Sequence, residues 1–206
     1  MTTTPSTTDR SIDDAGSSWL ERIERLDEAQ RRLMGRHWNA SRADLDRLDV
    51  VADRFILTAD LGMDEARKRA RLADWVATGA EWYLDVRIEA DEREFLAEHA
   101  PHLRYIRVPT DDDLEAKGPE FWTPVLEGLG DALHDGSIGI VTCAMAVNRG
   151  PSALFRVLLE LEWPELAALE EIATARPVAQ VVYAVDAFED FILSNIWTDR
   201  PSDPRR

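Results

Sequence analysis

Residues 139–161 read GIVTCAMAVNRGPSALFRVLLEL and hold the only cysteine of the chain. An apolar, partly β-branched run ends at Thr142, Cys143 follows, and Arg149 stands six residues further on, ahead of Gly150, Pro151 and an apolar segment with helical spacing. The reading is strand, short loop, helix. Such a junction presents backbone N–H groups with no internal partner and the positive end of a helix dipole, which together bind oxyanions. A cysteine at the foot of a loop of this kind is favoured as the nucleophilic thiolate. An arginine at its far end can clamp two phosphate oxygens with its planar fork. The plain alternative is a small core residue beside an ordinary turn.

The pattern on either side supplies the rest of the fold. Upstream, Trp19, Ile23, Leu26 and Leu33 recur at helical spacing, which predicts a helix over Ser17–Met34 with a serine as N-cap. A β-prone run at Arg54–Gly62 precedes a helix over Met63–Thr78 that Gly79 closes in the left-handed region. A strand at Glu81–Val86, a helix from Asp91 to Ala100 ended by Pro101, and a strand at Leu103–Val108 follow. After the acidic turn PTDDD come a helix over Pro119–His134 and the strand Ser137–Thr142. Downstream, helices are expected over Pro151–Trp163, Pro164–Thr174 and Val178–Trp197, with Pro164 and Pro177 in first turns. Strands alternating with helices mean an α/β domain, a mostly parallel central sheet flanked by helices with an extra helix at the N-terminal side. Ligands in such sheets bind beyond the carboxyl ends of the strands, where Cys143 falls.

The chain of 206 residues suits one domain over 19–198, with a disordered Thr- and Ser-rich leader over 1–18 and a flexible tail over 199–206. A net charge of −16 argues against nucleic acid or an anionic membrane as partner, while leaving room for a local pocket for one phosphate. No apolar run is long enough to span a membrane, and no basic start leads into an apolar block as in a secretory signal. A lone thiol fits a reducing, cytoplasmic setting. His99 and His102 lack clustered partners and read as surface residues, so neither a metal nor a cofactor is expected.

The strand before Cys143, the Asn-Arg-Gly-Pro-Ser run, the apolar helix after it and the later IATARP segment resemble the cysteine-dependent protein tyrosine phosphatase superfamily, most closely the dual-specificity phosphatases. The resemblance covers about Phe55 to Phe191. It implies that Cys143 attacks phosphorus to form a phosphocysteine that water then hydrolyses, with no metal. It further implies that Ala144, Met145, Ala146, Val147, Asn148 and Arg149 hold the phosphoryl group. A general acid is expected about thirty residues upstream, where YIRVPTDDD places Asp112, with Asp111 and Asp113 as neighbouring rivals. Three positions depart from the usual pattern: Thr142 replaces a histidine, Ala146 a glycine, and Gly150 a serine or threonine. All three point to lower activity, with Ser152 as a substitute hydroxyl. Alanine at a position needing positive φ costs on the order of 1 kcal/mol. The expected substrate is a phosphorylated protein side chain or a small phosphate ester. Phosphoinositides are disfavoured because the loop has no lysine. Two functional readings follow: a phosphatase of low activity, or an inactive module that binds a phosphorylated partner.

Overall fold

The structure is a computed structural model and describes residues 17–35 and 39–198. The expected leader, apart from Ser17 and Ser18, and the expected tail lie outside these residues. Five strands form one sheet: β1 (Asp49–Val51), β2 (Phe55–Ala59), β3 (Trp82–Arg87), β4 (Arg104–Thr110) and β5 (Gly139–Cys143). Their spatial order is β1-β2-β5-β3-β4, with β1 antiparallel to β2 and the other pairs parallel. The sheet is thus mostly parallel, and β5 runs along its middle with Cys143 at its carboxyl end.

Side chains alternate across the sheet with the period of two that a strand imposes. Phe55, Leu57, Trp82, Leu84, Val141 and Cys143 join the larger core, together with α5 (Pro119–Leu129), α6 (Arg149–Glu160), α7 (Glu165–Ala175) and α8 (Ala184–Thr198). Ile56, Tyr83 and Ile140 face the opposite core with α3 (Glu65–Ala77) and α4 (Arg93–His99). Thr142 therefore points away from the face that carries Cys143. Gly139 is required by close approach, since a Cβ there would stand 1.9 Å from the Trp82 ring, which lies across it.

The N-terminal helix, α1 (Trp19–Met34), is as expected and opens with a capping box in which Ser18 and Glu21 satisfy each other's backbone N–H groups. It packs on α7 and α8, where the Arg22 guanidinium meets the fully buried Glu165 carboxylate. Gly79 has the expected positive φ, of 80°.

Other expectations are corrected. The short α2 (Arg42–Asp46) and the three-residue β1 give too few residues for a periodic signal, and the sequence reading missed both. The helix from Pro119 ends at Leu129, where Gly130 turns to φ 51° and a single 3-10 turn continues to Leu133. Helix α6 begins at Arg149 rather than Pro151, and Pro164 is the N-cap of α7. Pro177 starts no helix. Residues 176–183 run irregularly, with Val181 at φ 48°, because their backbone is engaged with the loop after β5, and α8 opens only at Ala184.

Candidate active site

Cys143 ends the central strand with 2% of its surface exposed, and residues 144–148 curl from it into the first turn of α6. Each carbonyl of that loop is taken up from outside. The N–H of Asp60 reaches the carbonyl of Ala144 at 3.4 Å, the N–H of Gln180 that of Val147 at 2.7 Å, and the N–H of Ser152 that of Asn148 at 2.9 Å. The carbonyls of Met145 and Ala146 both accept from the buried Arg176 guanidinium, at 2.8 and 2.7 Å. The N–H groups of Met145 to Asn148 have no partner among the described residues. With the oxygens turned out, these donors are left to converge on the concave side, an anion-binding arrangement of the nest type.

Arg176 lies in the IATARP segment, yet the sequence reading assigned it no role. Besides the two loop carbonyls it binds Asp49 Oδ2 at 2.7 Å and the Leu45 carbonyl at 2.9 Å. Burial pulls its guanidinium down from the usual arginine range, and the Asp49 charge opposes this. The edge strand β1 and α2 thereby gain a purpose, since they deliver the counter-charge and carbonyl that hold Arg176 in place.

Arg149, only 4% exposed, is aimed by a residue the sequence reading missed. Its NH1 and NH2 donate to both carboxylate oxygens of Glu89, at 2.8 and 2.7 Å, and NH1 also reaches the Thr110 carbonyl at 3.0 Å. Burial opposes the guanidinium's charge, but Glu89 and the neighbouring Cys143 outweigh it and hold Arg149 above its ordinary value. In return the Arg149 hydrogen bonds lower the Glu89 pKa to about 2. Nε of Arg149 is buried without a hydrogen-bond partner, its nearest carboxylate oxygen being Asp112 Oδ2 at 3.5 Å. One donor of the fork therefore stays available beside the loop. Glu89 follows β3 by two residues, a position at the carboxyl edge of the sheet that topology alone marks out.

Of the three clustered aspartates, Asp112 is the one brought to the loop. Its Oδ1 accepts from Asn148 Nδ2 at 2.5 Å, while Asn148 Oδ1 accepts the Val182 N–H at 3.0 Å. Asp113 is turned away to Lys117 Nζ at 2.6 Å and the Glu115 N–H, contacts that lower its pKa. Asp111 is exposed.

The departures from the usual pattern have local explanations. Ala146 sits at φ 48°, the left-handed conformation that glycine would adopt more easily. A Cβ on Gly150 would meet Cys143 N and the Thr142 carbonyl carbon at 3.1 Å, so a side chain there requires α6 or β5 to give by a few tenths of an ångström. Thr142 is fully buried on the far face, where its hydroxyl donates to Tyr83 Oη at 3.0 Å. Burial keeps the Tyr83 hydroxyl well above its ordinary pKa. Ser152 Oγ accepts the Tyr183 N–H at 3.2 Å and so ties α6 to the irregular segment.

His99 and His102 are both exposed. Among the described residues no cluster of three or more histidine, cysteine, aspartate or glutamate side chains is placed to hold a metal. No helix among them is long and apolar enough to cross a membrane.

No protein-family model matches the chain, and no curated protein matches it. Solved structures do. A mouse putative dual specificity phosphatase complexed with zinc tungstate is 20% identical, with 79% of this chain and 96% of that one covered at a TM-score of 0.57. PTPMT1 in complex with PI(5)P is 14% identical over 69% of this chain and 94% of that one, at 0.53. The Yvh1 phosphatase domain from Chaetomium thermophilum is 16% identical over 76% and 100%, at 0.51. The fold is that of the cysteine-dependent protein tyrosine phosphatases.

Proposed function

We propose that the chain hydrolyses phosphate monoesters, with phosphorylated protein side chains as the substrate class. The observation that carries this reading is the loop after Cys143, whose carbonyls are all bound from outside while the N–H groups of Met145 to Asn148 and Nε of Arg149 are left without hydrogen-bond partners. These donors suit the equatorial oxygens of a phosphoryl group, and they act most strongly as its charge spreads in the transition state. In the first step the Cys143 sulfur bonds to phosphorus as the ester P–O bond breaks, and Asp112 passes its proton to the leaving oxygen. In the second, water attacks phosphorus, the P–S bond breaks, and the Asp112 carboxylate takes the water's proton, releasing inorganic phosphate and the thiolate. Glu89 holds the Arg149 fork and Arg176 holds the loop throughout. Retention of both a thiol and an acid at the loop favours turnover over mere binding, which would require neither.

The test is hydrolysis of a fluorogenic aryl phosphate by the purified chain with no metal added. Turnover is expected, vanadate is expected to inhibit it, and Cys143→Ser is expected to abolish it while keeping phosphate-analogue binding. Asp112→Asn should slow esters with poor leaving groups by roughly 100-fold and activated aryl esters much less. Activity that survives Cys143→Ser, or that a chelator removes, refutes the mechanism. Absent turnover with phosphopeptide binding retained would instead identify a phosphate-binding module.

A further inference from the structure

We infer that Asn148 is the positioning residue of the general acid: its side-chain amide fixes Asp112 so that the transferable proton is carried on Oδ2, toward the phosphoryl group. The inference rests on the phosphatase reading and gives Asn148 a task separate from that of its main-chain N–H in the loop. The direction of each hydrogen bond follows from what each group can do. The Val182 N–H can only donate, so the side-chain oxygen of Asn148 faces it, at 3.0 Å. The amide nitrogen of Asn148 is thereby turned to Asp112 Oδ1, at 2.5 Å, and an amide nitrogen likewise only donates. Oδ1 must then offer a lone pair whether Asp112 is ionised or protonated. The proton of the neutral acid is left to Oδ2, the oxygen that stands 3.5 Å from Arg149 Nε. From Oδ2 it passes to the ester oxygen as the P–O bond breaks, and the proton of the attacking water returns to the same oxygen in the second step.

Such a tie matters because the acid is otherwise poorly constrained. The Asp112 side chain is 42% exposed on the segment after β4, and without a partner it would have to lose rotamer freedom before each transfer. Asn148 is only 6% exposed and belongs to the loop that takes the phosphate, so its amide passes the position of that loop on to the acid. The next residue is held in the same way: Asp113 binds Lys117 Nζ at 2.6 Å, and that ammonium lies 5.1 Å from the centroid of the Tyr183 ring. Val182 and Tyr183 are part of the irregular segment whose N–H groups also hold α6 and the loop. Acid and phosphate loop are thus registered against one frame, residues 176–183.

The experiment measures kcat/KM for phenyl phosphate, a poor leaving group, and for an activated aryl phosphate, in the wild type, Asn148→Ala, Asp112→Asn and the double variant. Alanine keeps the main-chain N–H at 148, and a general disturbance of the loop slows both esters alike, so the ratio of the two rates reports on the acid. Asn148→Ala is expected to lower the ratio of phenyl to activated ester by about 10-fold, and to lower it no further once Asp112 is asparagine. Asn148→Asp retains an oxygen for the Val182 N–H, should Asn148→Ala fail to fold, and replaces the donor by a second acceptor; at about pH 8, where that carboxyl is ionised, it should shift the ratio the same way. Wild-type turnover with a ratio unchanged in the folded variants, or a further fall in the double variant, would overturn the inference alone. Absence of turnover in the wild type overturns the phosphatase reading and this inference with it.

Discussion

Two residues meet the tight geometry of the loop after β5 by different means. Ala146 takes the left-handed conformation despite its Cβ, at a strain of about 1 kcal/mol, whereas Gly150 has no side chain where one would crowd the backbone of Thr142 and Cys143. The two substitutions toward the pattern of the resembling family should therefore differ in effect. Ala146→Gly is expected to leave stability within about 1 kcal/mol of the parent's, relief of strain being offset by the loss of one buried methyl and the added freedom of the unfolded chain. Gly150→Ser should lower it by roughly 1–3 kcal/mol, since the atoms it would press on are main chain and cannot rotate aside. Urea denaturation of both variants decides the matter, and a Gly150→Ser protein as stable as the parent would show that α6 can withdraw from β5.

At the scale of elements, the segment between α7 and α8 does what a regular helix could not. Arg176 donates to four acceptors, on the loop, on the carboxyl side of α2 and on β1, while the main chain of Gln180, Val182 and Tyr183 donates to Val147, Asn148 and Ser152. An intrahelical ladder would have consumed those N–H groups. Arg176→Lys keeps a charge opposite Asp49 but loses the planar fork that serves several acceptors at once. It is expected to reduce kcat/KM for an aryl phosphate by about 10-fold or more and to lower stability by roughly 2–4 kcal/mol, from buried carbonyls left unsatisfied. Unchanged kcat/KM in a folded variant would show that the loop holds its shape without the clamp.

Across the whole molecule, α1 reaches the site through one polar side chain. Gln30 donates to the Val182 carbonyl at 2.5 Å and accepts the Val185 N–H at 3.0 Å, and the Val182 N–H in turn holds Asn148, the partner of Asp112. The extra helix is thus continuous, by hydrogen bonds, with the loop after β5. Gln30→Ala removes two buried hydrogen bonds and should destabilise by about 1–3 kcal/mol, seen as a fall of several degrees in Tm. A Tm within one degree of the parent's would mean that water replaces the glutamine and that α1 is only a cover for the apolar faces of α7 and α8.

What the sequence determined by itself is the part governed by short-range periodicity and local chemistry. The alternation of strands and helices, the capped N-terminal helix, and Cys143 at a strand end with Arg149 beyond it all follow from neighbours along the chain, whereas the left-handed backbone at Ala146 is suggested only by the family resemblance. Short pieces such as α2 and β1 carry too little pattern, and the apolar run after Pro177 has helical spacing even where tertiary hydrogen bonds prevent a helix. Only the fold could bring Glu89, sixty residues away, onto Arg149, choose Asp112 over Asp111 and Asp113, and turn Arg176 toward carbonyls some thirty residues upstream. Those pairings depend on which strand lies beside which, and in a parallel sheet that order is set by crossover packing, not by proximity in sequence.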